Sequence, residues 1–187
     1  MMLVVSTVTR NKYKVRDLQK AFSAYNISVE HISDDCPEIQ ADTCEEVAGF
    51  AARFMADKYS KPIVKEDFGF FIEVLGGLPG VYASQFHKKL GVKKLLKLME
   101  GESNRNAYMM HALAYCEPGK EPVVFTHKIN GRISKIAKSS EKWLTDIFIP
   151  DGESKTLGEI RESSREKELS FYGHVEKKFA KWFANKK

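Results

Sequence analysis

The sequence of 187 residues predicts an α/β protein whose mixed central β-sheet is flanked by helices. Its first third alternates short apolar runs with amphipathic helical segments, which is typical of parallel β-α-β units. From Ala107 onwards, β-rich runs follow one another with turn signals between them, which indicates antiparallel strands. Polar residues cluster where the strands should end, so we expect two lobes with a cleft between them, within one domain over residues 1–187.

The first half of the chain supplies the alternating strands and helices. The predicted strands are Leu3 to Thr7, Ile27 to Ile32, Ile63-Val64 and Phe68 to Leu75. The apolar residues of the first helix recur at helical spacing and are Val15, Leu18, Phe22 and Tyr25. Thr43 and Glu46 have the spacing of a capping box, which predicts the start of a second helix. The glycine-rich stretch Gly76 to Gly80 ends the fourth strand as a turn.

The second half is mainly β until its last helix. A short helix is predicted at Val92 to Met99, followed by strands at Ala107 to Cys116 and Pro122 to Ile129. Asn130-Gly131 is a hairpin-turn signal, so a further strand is expected at Arg132 to Ala137. Ser139 to Ser164 is predicted to be irregular. The final helix begins at about His174, and its apolar face is Val175, Phe179, Trp182 and Phe183.

Charge and composition limit the classes of partner. There are 30 Lys and Arg against 25 Asp and Glu, a mild excess that suits an anionic ligand. We interpret the lysines near the carboxyl end as a solvated helix face, and so expect no specific nucleic-acid partner. No apolar run approaches the ~20 residues of a membrane span, so no membrane partner is expected. The cysteines lack metal or disulfide spacing and are expected to be free thiols in a reducing cytoplasm: Cys36, Cys44 and Cys116.

The first candidate site is the polar turn between the first strand and the first helix. Thr9-Arg10-Asn11-Lys12 precedes the free amides of a helix amino terminus, which attract phosphate. Lys14 lies about one turn inside the helix and adds positive charge. The alternative is that Thr9 or Asn11 only caps the helix.

The second candidate site is a set of carboxylates. Glu66-Asp67 ends a buried strand, and Glu38 lies in an acidic loop. Neighbouring carboxylates at a sheet edge are costly unless they are solvated, protonated or facing a cation. Oxygen ligands of this kind suit Mg²⁺, whose coordination shell is usually completed by substrate phosphates. A solvated acidic turn is an equally good interpretation of these residues alone.

The third candidate site combines Trp143 with Asp146. An aromatic ring beside a hydrogen-bond acceptor can hold a nucleobase, because the ring stacks on the base while the carboxylate contacts its edge. A core tryptophan beside a surface aspartate is the alternative.

The order of these motifs resembles the inosine/xanthosine triphosphate pyrophosphatase family, the HAM1-like nucleotide triphosphate pyrophosphatases. That family opens with a strand, then T-G-N-x-x-K and a helix, which residues Thr9 to Lys14 resemble. Its acidic pair, short strand and G-G-x-P-G-x-Y are similar to Glu66 to Tyr82, the most specific match. Its F-x-P-x-G and T-x-x-E are similar to Phe148 to Gly152 and Thr156 to Glu159. The resemblance covers nearly the whole chain.

The resemblance implies an elongated mixed sheet with two lobes, and an activity. Members of the family hydrolyse nucleoside triphosphates to the monophosphate and pyrophosphate with Mg²⁺, usually as homodimers, and prefer 6-oxo purines such as ITP, XTP and dITP. The implied triphosphate contacts are Thr9, Asn11 and Lys14. The implied Mg²⁺ ligands are Glu38 and Asp67, and Asp67, together with Glu66, would activate the attacking water. On the base side, Trp143 would stack, Asp146 would lie near the base and Lys167 near the base or sugar.

The sequence departs from the family pattern in both halves of the site. Arg10 replaces a glycine and should crowd the phosphate turn. Ala51 falls where the family has a lysine in the second helix, and Arg53, two residues away, should point elsewhere. In place of the family's aromatic-Gly-aromatic-Asp-Pro, this chain has Trp143-Leu144-Thr145-Asp146-Ile147. In place of the family's S-H-R, which contacts the base, it has Ser170-Phe171-Tyr172. The phosphate half is therefore better kept than the base half, which predicts an altered base preference.

Two other functions remain open at this stage. A pyrophosphatase of the Maf group would act on modified nucleotides, but its S-x-S-x-R-R loop matches Thr7 to Asn11 only loosely. A catalytically degenerate nucleotide-binding protein would explain the lost base-reading residues. The retained carboxylates at Glu38, Glu66 and Asp67 argue against that second alternative.

Overall fold

The computed structural model describes residues 3–138, 143–164, 167–168 and 170–186, and these form the mixed α/β fold that the sequence predicts. The strands of the described residues are β1 (Leu3–Val8), β2 (Ile27–Ile32), β3 (Ile63–Ile72), β4 (Pro79–Gly80), β5 (Asn106–Cys116), β6 (Val123–Ile133) and β7 (Phe148–Pro150). The helices are α1 (Lys12–Ser23), α2 (Cys44–Tyr59), α3 (Ala83–Leu98), α4 (Leu157–Ser163) and α5 (His174–Ala184). Short 3₁₀ turns occupy Glu73–Leu75 and Leu144–Asp146.

The strands form one mixed sheet in the order β2-β1-β3-β5-β6-β7, with β4 paired to β3. β1 pairs in parallel with β2, with Val5 opposite Val29, and in parallel with β3, with Thr7 opposite Val64. The pairs β3–β4 and β6–β7 are antiparallel. Because parallel strands end at the same edge, the residues that follow β1 and β2 lie at one edge with Lys65 to Asp67 of β3, where ligands bind in many α/β sheets.

The chain divides into two compact units. The first contains the residues up to Asp67, His111–His127 and the residues from Gly173. Its core is formed by β-strand residues and by apolar faces of α1 and α5, and Phe22 of α1 lies 5.1 Å from Phe179 of α5 between ring centroids. The periodic apolar residues Leu18 and Val175 are buried there, as the sequence predicts.

The second unit contains Phe68–Met110 and Lys128–Tyr172. Phe70 and Phe148 pack edge to face at its core, with 5.5 Å between ring centroids. α3 has a kink at Gly91, whose φ of 72° is in the region that favours glycine. The predicted helix at Val92 to Met99 is therefore only the second part of a longer helical segment.

Three local predictions were wrong. β3 is continuous from Ile63 to Ile72, where two separate strands are predicted, and the last residues of the second predicted strand, Glu73–Leu75, form a 3₁₀ turn. Asn130-Gly131 lies inside β6 and is not a hairpin turn. A side chain at Gly131 would collide with the backbone carbonyl of Ile149 and with the ring of Phe148, so this glycine allows β7 to approach. The described part of the expected irregular stretch contains β7 and α4, while 139–142 lie outside the described residues.

Candidate active site

The turn after β1 is a capped helix start with a fixed geometry. The Thr9 hydroxyl accepts a hydrogen bond from the backbone N–H of Asn11 at 3.1 Å. The Asn11 side-chain oxygen accepts one from the N–H of Lys14 at 3.4 Å. Nε2 of His31, in β2, lies 2.8 Å from the Thr9 carbonyl oxygen. Asn11 therefore caps α1, and the amides at the start of this helix still form an anion-attracting end.

Arg10 is exposed and points towards the acidic loop that follows β2. Its guanidinium lies 3.0 Å from the carboxylate of Asp35. Exposed ion pairs of this kind contribute little to stability. The pair nevertheless joins the turn after β1 to the loop that carries Glu38.

The acidic loop is also attached to the end of α2. The Asp34 carboxylate accepts hydrogen bonds from Lys58 at 2.6 Å and from Tyr59 at 2.5 Å. These donors hold the pKa of Asp34 well below its ordinary value. Glu38 is exposed. Burial raises the pKa of the Cys36 thiol, the charge of Lys65 opposes this, and the charge of Glu38 adds to it.

The adjacent carboxylates Glu66 and Asp67 point to opposite faces of β3, as strand geometry requires. Asp67 hydrogen-bonds to the thiol of Cys44, the first residue of α2. Burial raises the pKa of Cys44, and the charge of Asp67 raises it further. Glu66 faces His111 of β5, with 3.2 Å between Oε1 and Nε2. Glu66 and Asp67 therefore have different partners, one on each face of the strand.

Glu66, His111 and Glu176 form a cluster whose ligand atoms all lie within 4.8 Å of one another. Burial alone would lower the pKa of His111, but the hydrogen bond and charge of Glu66 raise it overall. Burial raises the pKa of Glu176, against the opposing charge of His111. This arrangement can share protons among its members, and its donor spacing also admits a divalent cation.

Lys65 lies on the same face of β3 as Asp67, two residues earlier in the chain. Its ammonium group donates a hydrogen bond to the Val8 carbonyl at 2.5 Å, at the last residue of β1. Burial lowers the pKa of Lys65, the charge of Lys14 lowers it further, and the carboxylate of Glu66 opposes both effects. Lys65 is thus a cation among the groups that the sequence assigns to phosphate and metal binding.

The donors at this edge suit Mg²⁺. Glu38 and Asp67 offer carboxylate oxygens, which are the ligands that this hard cation prefers, and Glu38 is exposed.

The base-side candidates lie in the second unit. Trp143 is 39% exposed, and its ring packs edge to face on His87 of α3, with 4.4 Å between centroids. Asp146 is fully buried and accepts hydrogen bonds from the backbone N–H of Trp143 and from the guanidinium of Arg161, both at 3.2 Å. Lys167 pairs with Glu153 at 2.8 Å. Trp143 therefore offers an accessible ring, while Asp146 holds the 3₁₀ turn that carries it.

The segment in place of the family's S-H-R is aromatic. Phe171 and Tyr172 are half-buried and pack against the apolar core of the second unit. The ring centroid of Tyr172 lies 6.1 Å from that of Phe68, the residue after Asp67 in the chain.

Several residues of these sites were not singled out by sequence reasoning. Lys65 was detectable, because a lysine inside a buried strand shares a face with every second residue, including Asp67. His111, Glu176 and His87 were not, because they come from separate elements and have no local spacing signal. Arg53 does point elsewhere, since it pairs with Glu121 at 2.6 Å.

Comparison with known proteins identifies the family. The Ham1 family model matches residues 5–182. The chain belongs to the Ham1 family. It is 39% identical over 178 residues to a dITP/XTP pyrophosphatase of Methanopyrus kandleri, covering 95% of this chain and 94% of the relative. A dITP/XTP pyrophosphatase of Thermococcus kodakarensis is 36% identical over 176 residues, covering 94% of each chain.

Solved structures of Ham1 proteins have the same fold. A HAM1 protein from Coxiella burnetii superposes with a TM-score of 0.85 at 20% identity, covering 98% of this chain and 100% of that one. The Ham1 protein of Staphylococcus aureus gives a TM-score of 0.79 over 97% of this chain and 100% of that one, also at 20% identity. Among the residues that the structure describes, none of the helices has the length and apolar character to cross a membrane.

Proposed function

We propose that this Ham1 family chain is a nucleoside triphosphate pyrophosphatase acting on deaminated purine nucleotides such as dITP, XTP and ITP. The names of its relatives support the reaction and the substrate class. The observation that carries the proposal is the edge of the sheet where Asp67 bonds to the start of α2 and Lys65 bonds to the end of β1. The whole chain would act as one catalytic domain.

The residues at this edge have complementary roles in the proposed reaction. The amides at the start of α1, with Thr9, Asn11 and Lys14, bind the triphosphate. Asp67 accepts a proton from the attacking water, whose oxygen forms a bond to the α-phosphorus. The bond between that phosphorus and the oxygen bridging to the β-phosphate breaks, and pyrophosphate leaves with the electron pair. Positive charge beside the phosphates stabilises the leaving group.

Mg²⁺ is part of the proposal, with Glu38 and Asp67 as the protein ligands. When bound, such an ion polarises phosphoryl oxygens and lowers the pKa of coordinated water. The family resemblance assigns Glu66 a catalytic role together with Asp67; because Glu66 faces His111 on the opposite face of β3, we propose that it supports the position of Asp67. Trp143 would stack on the base, Asp146 would lie near the base, and Lys167 would lie near the base or sugar. We also propose a homodimer in the cytoplasm.

The test is a pyrophosphate-release assay with dITP, XTP, ITP and the four common nucleoside triphosphates. The expected products are pyrophosphate and a nucleoside monophosphate, and Asp67→Asn should abolish their release. Asp17→Asn is the matched control, because Asp17 is an exposed carboxylate of α1 beside Arg16. If no nucleotide yields pyrophosphate, the enzyme proposal fails. Nucleotide binding by a wild-type chain that releases no pyrophosphate would instead support a catalytically degenerate nucleotide-binding protein.

A further inference from the structure

Lys65 is a cation inside the sheet that has one hydrogen bond to the backbone. Its ammonium group carries three N–H donors, and the bond to the Val8 carbonyl uses one of them. Val8 directly precedes Thr9 in the turn proposed to bind phosphate. The side chain is half-buried, so its charge is only partly solvated.

A second lysine lies near this group. Lys14 is placed in the first turn of α1, and its charge lowers the pKa of Lys65. Lys14 is exposed, and an anion bound between its ammonium group and that of Lys65 would attract both. The positive end of the α1 dipole adds to the same field.

α2 provides no free cation for this anion. Ala51, at the position where the resembled family carries a lysine, is 8% exposed. Both cations of α2 are already in ion pairs, Arg53 with Glu121 and Lys58 with Asp34. A phosphate at this edge therefore needs a positive side chain from another element.

We propose that Lys65 binds a phosphate oxygen of the substrate and supplies, from β3, the positive charge that α2 lacks at Ala51. This inference rests on the proposed function. Lys65 shares its strand face with Asp67, so one face of β3 provides both a phosphate donor and the carboxylate that accepts the proton. A lysine that only ties β3 to β1 is the structural alternative.

The test uses Lys65→Gln, which keeps a donor for the Val8 carbonyl but removes the charge, and Lys65→Met, which removes both. Lys61→Met is the matched control, because Lys61 precedes the same strand and pairs with exposed Glu30 at 2.8 Å. Affinity for inorganic tripolyphosphate, with and without Mg²⁺, is measured by calorimetry, and kcat/KM for dITP by pyrophosphate release. A urea unfolding curve for each variant reports its fold.

Loss of one charge-assisted hydrogen bond should weaken tripolyphosphate binding and kcat/KM by roughly 10- to 100-fold in both Lys65 variants, with the control unchanged. Ala51→Lys should recover part of the affinity in the Lys65→Gln chain and add less to the wild type, whereas a purely structural role of Lys65 predicts the same gain in both. Wild-type affinity in a folded Lys65→Gln chain overturns the inference. The calorimetric result holds even if the wild-type chain hydrolyses no nucleotide, so failure of the proposed function is distinguished from failure of the role of Lys65.

Discussion

The phenolic oxygen of Tyr59 lies 2.5 Å from Oδ2 of Asp34 and donates a hydrogen bond to it. Lys58 donates to the same oxygen at 2.6 Å. Together the two bonds attach the acidic loop after β2 to the last turn of α2. The loop carries Glu38, so this attachment fixes a proposed Mg²⁺ ligand.

Asp34→Asn should lower stability at neutral pH and have no effect in strong acid. The bonds from Lys58 and Tyr59 lower the pKa of Asp34 in the folded chain. A lowered carboxyl pKa contributes stability above the unfolded value, about 3.9, and the contribution disappears as the pH falls towards the folded value. The gap between the urea midpoints of wild type and variant should therefore be constant around neutrality, begin to narrow below about pH 4 and close in strong acid.

The same variant should raise the Mg²⁺ concentration that gives half-maximal activity, because Glu38 is less well positioned. Asp17→Asn serves as the control for both measurements. Equal urea midpoints at neutral pH would show that the loop does not depend on Asp34.

Asn11→Asp separates helix capping from phosphate binding. Aspartate caps as well as asparagine, and its charge favours the helix dipole, so stability should be equal or higher. The same charge repels a triphosphate at the start of α1, so KM should rise by roughly 10-fold or more. Asn11→Ala, which removes the cap, should lower the free energy of unfolding by about 1 kcal/mol. Thermal unfolding and steady-state kinetics check both, and a KM unchanged by aspartate would leave Asn11 as a cap alone.

Gly158→Ala should destabilise the chain by about 1–3 kcal/mol through overpacking. A side chain there would collide with Oδ1 of Asp146, the buried carboxylate that accepts a hydrogen bond from Arg161. Gly49→Ala is the matched control, because a side chain at this α2 position meets Pro122 at an ordinary 3.5 Å. The control should be stabilising by up to about 1 kcal/mol. Urea unfolding compares the two, and equal stabilities would contradict the packing at Asp146.

Phe171→His combined with Tyr172→Arg should sharpen the base preference. The aromatic pair packs on the apolar core of the second unit, and neither side chain offers a cation to a 6-oxo group. A site built to hydrogen-bond an oxo group discriminates strongly, because the wrong base leaves a buried polar group unpaired. We expect a modest dITP-to-dATP ratio of kcat/KM in the wild type and a rise of roughly 10-fold or more in the variant. A wild type that already rejects dATP strongly would show that base selection lies elsewhere.

The parts of the fold that the sequence predicted well depend on local patterns. The strand at Ile27–Ile32, the capping box of Thr43 and Glu46 and the apolar face of α5 are present as predicted, because spacing along one element determines each. The prediction of a turn at Asn130-Gly131 was wrong, because both residues lie inside β6. There β7 packs so closely on Gly131 that any side chain would collide with it.

The chain itself thus determined the order of its elements, its family motifs and the kinds of side chain available for phosphate and metal. Only the tertiary structure decided that Glu66 and Asp67 face different partners, that Asp146 is held by Arg161, and that Lys65 lies beside the end of β1. The physical reason is that periodicity reports how one segment divides its faces, whereas the partner on each face comes from a strand or helix distant in sequence.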